Sequence, residues 1–127
     1  MNILTTRNEE ILKGVHPDLI RVIRLASQLS PVDFIITEGL RTPARQQELV
    51  RAGKSQTLNS RHLTGHAVDL APWVNNTIPW QDWQAFSRVA QAMKQAASAL
   101  SVPIVWGGDW KHFKDGPHFE LNRTNYP

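Results

Sequence analysis

Three features of the chain predict an α+β domain, with a small antiparallel sheet packed with helices. Apolar residues recur at helical spacing in two stretches, Leu19 to Leu29 and Phe86 to Leu100. Four short segments read as strands: Phe34-Ile35-Ile36-Thr37, Ala67-Val68-Asp69-Leu70, Ile104-Val105-Trp106 and His118-Phe119-Glu120-Leu121. Turn and breaker residues separate these pieces, and no internal repeat, low-complexity tract or linker divides residues 1–127, so they read as one domain.

Each element has a local reason. Thr6-Arg7-Asn8-Glu9 has capping-box spacing and opens a short helix that Gly14 stops. Pro17 suits a first helical residue, and Leu19, Val22, Ile23, Ala26 and Leu29 form a stripe that should pack on the sheet. The strand at Phe34 delivers Gly39 and Arg41 to a turn, after which Thr42-Pro43 caps a helix running to about Ala52 and ending at Gly53. Lys54 to Ser60 is polar and reads as a loop. Ala67 to Leu70 reads as a buried strand, and Asn75-Asn76 as a turn between Trp73-Val74 and Thr77-Ile78. The longest helix runs from about Trp80 or Asp82 to Leu100, with Phe86, Val89, Ala90, Met93, Ala97 and Leu100 on one face. His118 to Leu121 alternates like a half-buried strand.

Composition narrows the function. With 127 residues, 41% hydrophobic and 20% charged, the chain can bury a core without staples. It has no cysteine, so any metal must be held by histidine and carboxylate. Its net charge of +3 comes from singly scattered basic residues, with no Lys/Arg run, so no nucleic-acid partner is expected. Met1 to Glu10 lacks the apolar core of a signal peptide, and no stretch approaches the ~20 apolar residues needed to span a bilayer.

The chemistry concentrates in Ser60-Arg61-His62-Leu63-Thr64-Gly65-His66-Ala67-Val68-Asp69 and Asp115-Gly116-Pro117-His118-Phe119-Glu120. His62 and Asp69 are seven residues apart; a straight strand would separate them by ~23 Å and a helix by ~10 Å. The chain must therefore turn between them, and Thr64-Gly65 is where it can. A loop-borne His62, a strand-borne Asp69 and His118 from a second strand give three ligands for one zinc ion, with a fourth position left for water. Asp115 is then a free carboxylate placed to act as general acid/base.

These residues resemble the motif of the zinc peptidases of the D-Ala-D-Ala peptidase and hedgehog-like fold, S-x-H-x-x-G-x-A-x-D followed by an acidic residue three positions before a histidine. Ser60, His62, Gly65, Ala67, Asp69, Asp115 and His118 meet every fixed position. Glu38-Gly39-Leu40-Arg41-Thr42 and Trp106-Gly107-Gly108-Asp109-Trp110 look like segments of phage endolysins and bacterial wall enzymes of the L-alanyl-D-glutamate endopeptidase type. The resemblance implies that His62, Asp69 and His118 bind one catalytic zinc, that Asp115 is the acid/base and that Arg41 stabilises the oxyanion or a substrate carboxylate. It implies a peptidoglycan substrate cut between L-Ala and D-Glu, with a D-Ala-D-Ala carboxypeptidase or dipeptidase and a non-catalytic zinc-stabilised module as alternatives. By analogy the protein is a monomer made in the cytoplasm that acts on the wall, aided by a holin-like release factor if phage-encoded. One departure is the short span between Trp110 and Asp115, which leaves little for the regulatory ion site of larger relatives.

Blander readings compete at several positions. His66 shares a possible helical face with His62, but Leu63 stands where a zincin needs glutamate, and Gly65 disfavours a helix. His16 belongs to the Pro17 junction, and His112 lies between lysines in a solvated loop. Glu120 is a second candidate base, or a partner that orients a ligand. Ser60 either caps the turn or contacts substrate, Arg41 is a cationic clamp at a strand end, and Trp106 and Trp110 are expected to line the cleft.

Overall fold

The computed structural model describes residues 6–55, 60–112 and 114–127. Its elements run α1 (Thr6–Ile11), α2 (Pro17–Leu29), β1 (Phe34–Glu38), α3 (Pro43–Arg51), a 3-10 turn (Arg61–Thr64), β2 (Ala67–Pro72), α4 (Trp83–Leu100), β3 (Ile104–Trp106) and β4 (His118–Leu121). The four strands form one antiparallel sheet in the order β1-β2-β4-β3.

The helices begin where their caps dictate. His16 caps α2 by accepting Asp18 N–H on its ring nitrogen, and Pro17 follows as the first helical residue. Thr42 caps α3 through Arg45 N–H, and Asp82 caps α4 through Ala85 N–H. The glutamate expected to complete the capping box of α1 points elsewhere. Its two carboxylate oxygens, on Glu9, accept from Arg24 of α2 at 2.7 and 2.8 Å, linking the two helices.

The core lies on one face of the sheet. Ile36, Val68, Leu70, Phe119 and Leu121 meet Leu19, Val22, Ile23 and Ala26 of α2 and Val89, Met93 and Ala96 of α4 in one buried cluster. Leu29, expected in the α2 stripe, is 39% exposed, because it is the last residue of the helix before the Ser30 cap. β4 is not half-buried as its alternation suggests: all four residues are buried, since it is an interior strand with a face on the core and a face on the site. The Lys54–Ser60 loop falls partly outside the described residues.

Two irregularities shape the opposite face. The β1–β2 register shifts between Ile36 and Glu38, so that Ile36 pairs with Leu70 but Glu38 pairs with Asp69. Without that bulge Glu38 would share the core face with Ile36; with it the carboxylate joins Asp69. Gly65 ends the 3-10 turn at φ +75°, and an added Cβ there would sit 2.2 Å from the Gly14 carbonyl oxygen. Only glycine fits this close approach, which His16 N–H reinforces by bonding Gly65 O at 2.8 Å.

Candidate active site

The site is assembled by sheet register and one tight turn. Asp69 and His118 are direct cross-strand partners on β2 and β4. The 3-10 turn brings His62 back over Asp69, and Arg41 N–H fixes that turn by donating to His62 O at 2.9 Å. His62 Nε2 lies 3.1 Å and His118 Nδ1 3.5 Å from Asp69 Oδ1, and one ligand atom from each of the three residues falls within 4.8 Å of the others. Ligand atoms on a tetrahedral zinc with bonds of ~2.1 Å are about 3.4 Å apart, which these separations bracket.

The remaining ring nitrogens fix which atoms face inward. His62 Nδ1 donates to Gly39 O at 2.9 Å, and His118 Nε2 bonds Glu120 Oε1 at 2.8 Å. With their outer nitrogens so engaged, His62 Nε2 and His118 Nδ1 are the ring atoms turned towards Asp69, and they are the ones that would ligate a cation held there. The donor set of two imidazoles and one carboxylate fits a zinc ion.

The charges follow the same logic. Burial pushes the Asp69 carboxyl up, but hydrogen bonds to His118 and His62 outweigh it and hold the group well below the usual carboxylate range. Burial opposes charge on His118, yet bonds to Asp69 and Glu120 raise it to about 9. Burial works against the Glu120 charge too, and His118 overcomes it.

These groups open into a cleft of about 400 Å³ whose walls include Arg41, Ser60, Trp110 and Asp115. Asp115 is held in its turn by backbone bonds to Gly107 O at 3.0 Å and from His118 N–H at 3.1 Å. Burial, and next the Asp69 charge, push its carboxyl above the normal range, the direction a general base needs. Gly107 has no room for a side chain, since an added Cβ would lie 2.4 Å from Asp115 O.

Arg41 is more tightly held than a simple clamp. Its Nε and Nη2 fork onto Glu38 at 2.8 and 2.7 Å, its Nη1 donates to Gln46 at 2.6 Å, and Nη2 stands 3.7 Å from Asp69 Oδ2. Glu38 and Gln46 are the site residues that motif reading misses. Glu38 stands three before Arg41, but the bulge that turns it inward has no sequence signature, while Gln46 is a polar helix residue that happens to be fully buried.

Ser60 caps the 3-10 turn by accepting His62 N–H at 3.2 Å and also lines the cleft. The Trp110 ring lies 5.0 Å from that of His118. Trp106 is placed elsewhere: it is buried, stacks on Phe119 and donates its indole N–H to Gly116 O at 2.7 Å, so it supports the Asp115 turn from the core side. His66 is off the cleft, bonded to Thr64 and 5.6 Å from the His16 ring, whereas the exposed His112 is part of the rim.

A cluster of two histidines and an aspartate that could hold a metal ion, set on a four-stranded antiparallel sheet with a spare carboxyl beside it, is of the metallohydrolase type. Residues 2–124 match the family described as phage L-alanyl-D-glutamate peptidase, and the chain belongs to that family. It is 38% identical over 122 residues to the L-alanyl-D-glutamate peptidase of Escherichia phage T5, covering 94% of this chain and 88% of that one. The crystal structure of the Serratia marcescens L-Ala D-Glu endopeptidase ChiX superposes with a TM-score of 0.92 at 52% identity, covering 100% of this chain and 94% of ChiX. The vancomycin-resistance D,D-dipeptidase VanXYg shares the fold at 14% identity and a TM-score of 0.53, over 84% of this chain and 50% of its own.

Proposed function

We propose that residues 1–127 form a single zinc peptidase domain that hydrolyses the amide bond between L-Ala and D-Glu in the peptide stem of peptidoglycan. The observation that carries this reading is the convergence of His62, Asp69 and His118 at the floor of an open cleft, with Asp115 beside them. These three side chains hold the ion, which when bound supplies Lewis acidity and lowers the pKa of a coordinated water towards ~7.

The chain's own residues supply the rest. Asp115, with its affinity for a proton raised, takes one from the attacking water and returns it to the leaving amine. Arg41, oriented by Glu38 and Gln46, offers its remaining donors to the oxyanion or a substrate carboxylate. Ser60 and Trp110 contact the stem as cleft walls. Membership of the L-alanyl-D-glutamate peptidase family favours that bond over D-Ala-D-Ala, because the likeness to the D,D-dipeptidase is one of fold.

The reading places the work on the cell wall, performed by a monomer and reached through a holin-like release factor if the gene is phage-borne. Among the described residues no helix is long and apolar enough to cross a membrane. Mass analysis of fragments released from purified peptidoglycan tests the bond assignment. New amino termini on D-Glu, abolished by EDTA and restored by zinc, are expected; release of D-Ala instead would contradict it.

A further inference from the structure

Next to the turn that carries Asp115 stand two exposed tryptophans, each backed by a buried ring. Trp80 is 62% exposed and stacks on Phe86, with centroids 5.9 Å apart and planes at 27°. Trp83 is 46% exposed and stacks on Trp106 at 5.5 Å and 29°, and Trp106 in turn stacks on Phe119 at 6.4 Å and 18°. Trp83 is thus the outer end of a three-ring column that begins in the core. Both indoles are held on one face and open on the other, so a ligand ring landing there meets surfaces that are already ordered.

The column is joined to the cleft. Trp106 bonds Gly116 O at 2.7 Å, and a Cβ on Gly116 would lie 3.1 Å from the Trp83 ring. Gly116 adjoins Asp115, which faces the cleft, so one short turn carries both the proposed base and the glycine that packs against the aromatic column. Polar groups of Gln81 and Asp82 border the Trp80 surface.

We propose that Trp80 and Trp83 form a docking platform for the amino-sugar strand of peptidoglycan. This rests on the substrate reading above. The stem begins with L-Ala attached to a sugar, so the bond to be cut lies within about two residue-lengths of the glycan, L-Ala and its link to the sugar, roughly 7 Å at ~3.5 Å each. A sugar must therefore sit at the cleft rim whenever the stem is in place, and its neighbours along the strand extend outward. Sugar rings present apolar C–H faces that stack on indoles, with hydroxyl and acetamido groups left for polar neighbours. A second protein copy fits the patch poorly: a stable interface buries ~800 Å² per partner, whereas two half-open indoles of at most ~250 Å² each offer far less.

The test uses the full chain, with a soluble N-acetylglucosamine hexamer as probe and intrinsic tryptophan fluorescence as a readout that needs no turnover. The hexamer should change the emission, and Trp80→Ala should weaken its binding at least fivefold. The same variant should raise KM for stem-bearing glycan fragments at least fivefold relative to its KM for a sugar-free stem peptide. Trp83→Phe, which keeps a ring on the column, should bind better than Trp83→Leu. Undiminished hexamer binding in Trp80→Ala, an equal loss on both substrates, or concentration-dependent self-association that Trp80→Ala abolishes would each overturn the proposal. Wild-type protein that cleaves no stem peptide yet binds the hexamer through Trp80 would sink the peptidase reading and leave the platform supported.

Discussion

Glu120 Oε1 stands 2.8 Å from His118 Nε2, so the only ring nitrogen that His118 can turn towards Asp69 is Nδ1. A carboxylate behind a ligand histidine fixes the tautomer and raises basicity, and losing such a partner typically weakens metal binding by about 10- to 100-fold. Glu120→Gln is therefore expected to lower zinc affinity within that range while leaving one zinc per chain at saturation. Competition with a chromogenic chelator measures it; an unchanged affinity would show that Glu120 serves packing alone.

Asp115 is expected to separate chemistry from metal binding. It is no member of the ligand cluster, yet it faces the same cleft. Asp115→Ala should retain one zinc and lose about 10²- to 10⁴-fold in turnover on purified peptidoglycan. Activity within a fewfold of the parent would remove it from the mechanism.

The protonation of His118 predicts opposite pH responses with and without metal. Its folded value of about 9 stands above the ordinary 6.5, so in the metal-free protein its contribution to stability is complete below about pH 6.5 and is lost as pH rises through 9. A metal must displace that proton. Apparent zinc affinity should hence fall by about tenfold per pH unit as pH drops below 9. Thermal melts of chelated protein and zinc titrations across pH 6 to 9 read the two trends; parallel rather than opposite trends would contradict the assignment.

Two glycines with nearly equal φ should differ in what they tolerate. Gly65 at φ +75° has Gly14 O 2.2 Å from a would-be Cβ, while Gly53 at φ +74° has nothing within 4 Å. Gly53→Ala should cost only the left-handed backbone penalty, about 1–2 kcal/mol. Gly65→Ala adds a backbone clash and should cost about 2–5 kcal/mol, with weaker metal binding because His62 is displaced. Urea unfolding of the pair checks this, and equal losses would show that the 3-10 turn yields.

Much of this was legible from residue order because it rests on local rules. Pro17, Thr42 and Asp82 announce helix starts, and the spacing from His62 through Gly65 to Asp69 demands the turn that is found. What was not legible is long-range or irregular. The bulge that carries Glu38 to the face of Asp69 leaves no trace in composition, so the fork holding Arg41 could not be foreseen. Trp106 looked like a cleft wall beside Gly107-Gly108, but its ring turns into the core, where Phe119 and Trp83 sandwich it. Strand order also escaped: β4 is interior, which is why Glu120, alternating with Phe119, is buried rather than solvated.

Every step of the proposed chemistry requires that His62, Asp69 and His118 share a single ion. Metal analysis of the purified protein combined with zinc X-ray absorption reads this out. One zinc per chain is expected, with a first coordination shell of nitrogen and oxygen containing two imidazoles, and with the metal lost in both His118→Ala and Asp69→Ala. A protein that binds no stoichiometric metal, or that keeps it in either variant, would contradict the shared site.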